Sequence, residues 1–105
     1  MSLFKSPKHK WLAKIVSFKN PSSARKAAKK LLSGLKRGRI GKLKIGEKRA
    51  LQIVQALNYA ANRAEASAKK EKLSPKERKE LKRISRIYRS AQKKASRIYA
   101  RRYKE

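Results

Sequence analysis

The sequence has no cysteine and no aspartate, a single histidine, and only six acidic residues against 33 Lys and Arg. Without cysteine there are no disulfides, thiolate nucleophiles or Cys-type zinc sites, which fits an intracellular protein. His9 stands between Lys8 and Lys10, where neighbouring positive charge disfavours both protonation and metal binding. Lacking Cys, Asp or a second His, the chain cannot assemble a metal cluster or a Ser-His-Asp or Cys-His arrangement, so the role expected of His9 is contact with a phosphate or a base. The acids are Glu47, Glu65, Glu71, Glu77, Glu80 and Glu105. Glu47, Glu77 and Glu80 fall in first turns of expected helices, where negative charge favours the helix dipole, and Glu65 is spaced to pair with Lys69 at i+4. A catalytic carboxylate pair needs a pocket that drives two pKa values apart, and a thin core leaves little room for one. No catalytic residue, metal, cofactor or small-molecule substrate is expected.

Long apolar runs are also missing, and none approaches the roughly 20 residues that span a bilayer. The N-terminus is basic but shows no apolar core followed by a small-residue cleavage site, so the chain is expected to stay in the cytoplasm. Its Lys- and Trp-containing first residues raise a membrane-surface reading. Against it, basic residues continue through the whole chain and the apolar faces are needed for helix packing, so no membrane partner is expected.

What remains is charge and helical periodicity. The formal charge is +27 in 105 residues, far beyond what six carboxylates can offset, so the expected partner is a polyanion. Hydrophobic residues make up 39% of the chain, enough for one modest core in one domain. Much of that share is alanine, which points to thin helices packed closely through small side chains.

All three prolines follow a capping residue: Ser6-Pro7, Asn20-Pro21 and Ser74-Pro75. Proline suits the first helical position because its missing N–H would be unpaired there, and Ser or Asn before it can cap the free amides. Ser74 and Glu77 add a capping box. A short amphipathic helix is expected over 7–18, carried by Trp11, Leu12, Ile15 and Val16, with residues 15–18 also compatible with an extended path. A second spans about 21–36, with Ala24, Ala27, Ala28, Leu31, Leu32 and Leu35 on one face and Arg25, Lys26, Lys29 and Lys30 on the other. Gly38 supplies its stop. Residues 37–46, RGRIGKLKIG, hold three of the four glycines and read as a flexible basic loop whose backbone can approach a ligand closely. They lack the glycine spacing of a P-loop or dinucleotide fingerprint.

Two further helices are expected over 47–70 and 75–103. Ala50, Val54, Leu57, Ala61, Ala64 and Ala68 form the seam of one, and Leu81, Ile84, Tyr88, Ala91, Ala95 and Ile98 that of the other. Joined by a short connection, they predict an antiparallel helical hairpin. Ser-Arg-Ile-Tyr recurs at 85–88 and 96–99, and eleven residues is about three turns, so both copies face the same way. The expected fold is therefore all-α, with three or four helices: a basic arm over 1–20 and a single helical domain over 21–105.

The residues expected to contact nucleic acid are Lys8, His9, Lys10, Trp11 and Lys14 on the arm, Arg25, Lys26, Lys29 and Lys30 on the next helix, and Arg37, Arg39, Lys42 and Lys44 in the loop. Arg63, Arg86, Arg89, Arg97, Arg101, Arg102 and Tyr103 complete the set on the last two helices. Among the aromatics, Trp11, Tyr88, Tyr99 and Tyr103 are candidates for stacking on unpaired bases. Tyr88 lies on a seam and is assigned to the core.

The segment over 60–95 resembles a group of small basic domains of uncharacterised function found in archaea and some viruses. The matching features are AANRA at 60–64, LSPKER at 73–78 and Ile-Tyr-Arg at 87–89, within about a third of the chain. The resemblance implies a compact helical hairpin and an archaeal setting, and it brings no activity or site residues. A composition of 21 Lys and 12 Arg without Asp or Cys suits a thermophile. The expected role is that of a small ribosomal protein that binds and stabilises rRNA through its phosphates, next to other ribosomal proteins. A DNA-compacting protein of a nucleoid or virion, gripping double-stranded DNA, is the alternative.

Overall fold

The computed structural model describes residue 12 and residues 15–103, which are mostly helical and carry a small two-stranded ribbon. Helix α1 spans Pro21–Arg37. Asn20 caps it by accepting the Ser23 N–H at 2.7 Å, with Pro21 opening the first turn. It ends at Gly38, which sits in the left-handed region at φ 77° and donates its N–H to the Gly34 carbonyl. Ala24, Ala27, Ala28, Leu31 and Leu35 are buried along one face.

Of residues 37–46, expected as a flexible loop, Arg37 closes α1 and residues 39–44 form a pinned β-ribbon. Strand β1 (Arg39–Ile40) pairs antiparallel with β2 (Leu43–Lys44) across a turn in which Gly41 takes φ 58°. Ile40 and Leu43 pack on the core, Ile45 is buried, and the Ile45 N–H reaches the Gly38 carbonyl at 2.9 Å. Arg49 adds a bond from Nη1 to the Lys44 carbonyl at 2.9 Å. The apolar residues between the bases account for the ordering, since burying them outweighs the freedom that the glycines offer. Gly38 and Gly41 serve backbone conformation. The close approach falls instead at Gly34 inside α1, where a Cβ would run into the Ile40 side chain.

Helix α2 spans Glu47–Ala68 and α3 spans Pro75–Arg102. The Ser74 hydroxyl accepts the Glu77 N–H at 3.2 Å and lies 3.1 Å from Glu77 Oε1, which opens α3. No basic residue lies in the last turn of α2. Arg78 of α3 takes that role, donating Nε to the Ala68 carbonyl and Nη2 to the Lys70 carbonyl, each at 3.0 Å. Further up α3, Ser85 Oγ donates to the Ala61 carbonyl at 2.9 Å and Arg89 Nη1 to Asn58 Oδ1 at 2.7 Å. The partners step down α2 as they step up α3, so the two helices run in opposite directions. Ala56, Ala60, Ala61 and Ala64 are almost completely buried, and their small side chains admit this close approach. Helix α1 lies mainly against α3 and barely touches α2.

The last part of the basic arm belongs to this core. Leu12 is fully buried, its carbonyl accepts the N–H groups of Ile15 and Val16, and Ile15, Val16 and Phe18 pack against the cluster. Residues 16–18 leave the helical path. The Phe18 ring lies 5.9 Å from that of Tyr88, which is fully buried. Tyr88 Oη accepts the Ser17 N–H at 2.9 Å and donates to the Ser17 carbonyl. Burial raises the Tyr88 pKa above 10.0, against a smaller lowering from the hydrogen bond with Ser17. The rest of the helix expected over 7–18 lies outside the described residues.

Candidate nucleic-acid interface

Two stretches of the chain carry bases with no acid among them. Residues 21–46 hold nine Lys and Arg, and residues 81–103 hold nine more. The fold sets these stretches side by side, because α1 packs on α3. Between the helices lies an open groove of about 730 Å³, with Arg25, Lys29 and Lys36 on one wall and Arg86 and Lys94 on the other. Ala28, Leu32, Ile87 and Ala91 supply an apolar floor, and Ser33 and Ser90 add hydroxyls. No carboxylate lines it. The local reason is periodicity: 25, 29 and 36 share one stripe of α1, as 86, 90 and 94 do on α3, each stripe flanking the buried face. Five cations in one groove repel one another, and an anion laid between them would relieve that repulsion.

A second basic cleft lies at the ribbon, where Arg39, Lys42 and Lys44 surround Gly38. A third lies between α2 and α3, lined by Lys69, Lys82, Ser85, Arg86 and Arg89 together with Glu65 and Ala68. Arg86 thus borders two clefts. Arg89 is held within the fold by Asn58 and by Asn62, whose Oδ1 accepts from Nη2 at 2.5 Å. Glu65, expected to pair with Lys69, forms instead the one ion pair among the described residues, at 4.0 Å from Arg89 Nη2. The Arg89 guanidinium reaches across the helix pair already oriented by two amides and so holds one nitrogen near Glu65, where Lys69 would offer a mobile point charge.

Of the residues expected to touch nucleic acid, the structure brings Arg25, Lys29 and Arg86 together in the groove and Arg39, Lys42 and Lys44 together at the ribbon. Lys26, Lys30, Arg37, Arg97, Arg101 and Arg102 are exposed but line none of these clefts. Arg63 sits apart, on the outer side of α2 beside Tyr59. Tyr103 is bound into the fold: its hydroxyl donates to the Leu35 carbonyl at 2.6 Å, and its ring stacks with Tyr99 at 6.5 Å. Lys8, His9, Lys10, Trp11 and Lys14 lie outside the described residues.

Sequence reasoning missed Lys36 and Lys94, although the eleven residues from Arg25 to Lys36 and the eight from Arg86 to Lys94 keep each pair on one face. It also passed over Tyr59, the most exposed large hydrophobic side chain among the described residues at 55%. Its place opposite the α2 seam was the available signal. No helix among the described residues is long and apolar enough to cross a membrane. Comparison of the chain with protein-family models, with curated proteins and with solved structures finds no match.

Proposed function

We propose that this chain is a non-enzymatic structural protein that binds nucleic acid along its phosphate backbone, in the cytoplasm, as a small ribosomal protein on structured rRNA. The observation that carries the reading is the carboxylate-free groove between α1 and α3, with five cations on its two walls. The three-helix fold, with α2 and α3 as an antiparallel hairpin, is the scaffold that holds those walls apart. The ribbon favours structured RNA. It is tied down on the core and groups Arg39, Lys42 and Lys44 around one cleft, a compact basic tip suited to a crevice between RNA helices. Neighbouring ribosomal proteins are the other contacts this role implies.

Double-stranded DNA is the second reading, favoured by α3. Its 28 residues run for about 42 Å, with bases from Lys82 to Arg102, a length over which a helix can follow a duplex. Co-sedimentation of the protein with ribosomal subunits, set against nucleoid fractions, tests the choice. Recovery with subunits that salt reverses is the expected result, and recovery with the nucleoid alone favours DNA compaction.

A further inference from the structure

The outer face of α2 is built differently from the rest of the surface. The helix carries Lys48, Arg49 and Arg63 against Glu47 and Glu65, so its net charge is small beside those of α1 and α3. Charge density is therefore not the main feature of this face. It presents Tyr59, 55% exposed, over a shallow cleft of about 350 Å³ shared with Asn62, Arg63, Ser67 and Lys70. Asn62 and Arg63 follow Tyr59 by three and four residues and so lie on the same side of the helix. The Asn62 carbonyl oxygen accepts from Arg89 Nη2 at 2.5 Å, which fixes the side chain and turns its amide NH2 into the end available to a ligand. A ring to stack on, an oriented amide, and cations at the rim form the recognition set for a nucleobase with its phosphate.

The cleft also joins the basic surface. Arg86 borders both the α1/α3 groove and the α2/α3 cleft, Arg89 lines the latter, and Arg89 bonds Asn62, which lines the Tyr59 cleft. A strand leaving the groove therefore passes Arg86 and then Arg89, which is paired with Glu65, before it reaches Tyr59. We propose that the Tyr59 cleft seats an unpaired nucleotide, so that the protein recognises a bulged or single-stranded position beside a helical segment held in the groove. This rests on the nucleic-acid reading above and adds selectivity for unpaired bases.

The test compares binding to a hairpin RNA bearing a one-nucleotide bulge with binding to the same hairpin fully paired, for the native protein, Tyr59→Ala and Tyr59→Phe. The native protein should prefer the bulged RNA by about five- to 160-fold, the range set by stacking one base on an aromatic ring. Tyr59→Ala should lose the preference while keeping its affinity for the paired hairpin and its salt dependence. Tyr59→Phe should keep both, because the ring and not the hydroxyl carries the stacking. Because stacking releases few counterions, the preference should persist as salt rises while total affinity falls. Salt-dependent binding without any native preference for the bulge overturns this proposal and leaves the backbone-binding reading standing. Equal losses on both RNAs in Tyr59→Ala also overturn it, since Tyr59 would then support the fold or general binding. Absence of salt-dependent binding to either RNA removes the underlying reading and this proposal with it.

Discussion

Tyr88 and Ser17 lie 71 positions apart and are joined by a reciprocal pair of hydrogen bonds, the phenolic oxygen accepting the Ser17 N–H and donating to the Ser17 carbonyl. One side chain in the middle of α3 thereby satisfies both backbone groups of a residue that no helix or strand can serve. It also anchors the base of the N-terminal arm on the same helix that forms a wall of the groove.

Tyr88→Phe should lower stability by about 1–2 kcal/mol in chemical denaturation, because it strands the Ser17 backbone groups while keeping the ring in the core. It should also change the alkaline limb. The folded-state pKa of Tyr88 lies above its ordinary 10.0, so the stabilisation is complete below pH 10 and is lost as pH rises from there through the folded value. The native protein should therefore lose stability more steeply above pH 10 than Tyr88→Phe does. Parallel curves for the two would show that this phenol is not linked to folding.

Gly34→Ala sets two effects against each other. In an open helix, alanine is favoured over glycine by up to about 1 kcal/mol. Here the added methyl meets Ile40, so the substitution should instead destabilise by about 1–3 kcal/mol, the range for overpacking. Shortening Ile40 to Ala in the same chain should recover part of that loss. A gain in melting temperature for Gly34→Ala alone would mean that the ribbon does not press on α1.

Ala61 is fully buried where α2 meets α3, and its carbonyl accepts from Ser85. Placing a charge there by Ala61→Glu should cost at least about 3 kcal/mol. Ser74→Ala, which removes only a cap, should cost about 1 kcal/mol. Equal and small changes in circular dichroism melts for the two variants would contradict this packing.

Separate sets of bases should differ in what they recognise. Serine in place of Arg25, Lys29, Lys36 and Lys94 should weaken binding to duplex DNA and to a structured rRNA fragment about alike. Each lost phosphate contact should flatten the slope of log K against log salt by about 0.9 on duplex DNA. Serine in place of Arg39, Lys42 and Lys44 should weaken the rRNA complex more than the DNA complex, because only a crevice needs the ribbon. Fluorescence anisotropy over a salt series measures both, and equal losses from the ribbon variant would move DNA compaction ahead of the ribosomal reading.

The amino-acid sequence by itself determined the properties that depend on neighbours along the chain. The excess of 33 bases over six acids is a property of composition. The mostly helical character follows from apolar spacing, and caps such as Asn20 and Ser74 act on amides only three residues ahead, within reach of a local pattern. The burial of Tyr88 was legible in the same way, from its place on a seam. The tertiary structure alone decided which faces meet. Whether α1 lies on α2 or on α3 selects which bases share a groove, and periodicity names the stripe on each helix without naming its neighbour. The ribbon escaped notice because glycine-rich sequence reads as flexibility until Ile40, Leu43 and Ile45 find a core to enter. Arg78 on the α2 carbonyls, Arg89 across to Asn62 and Tyr59 left in solvent have the same origin. The carbonyls and the amide that the two arginines reach lie eight to 27 residues away, and Tyr59 keeps its exposure, so only the packing of the helices sets the place of these side chains.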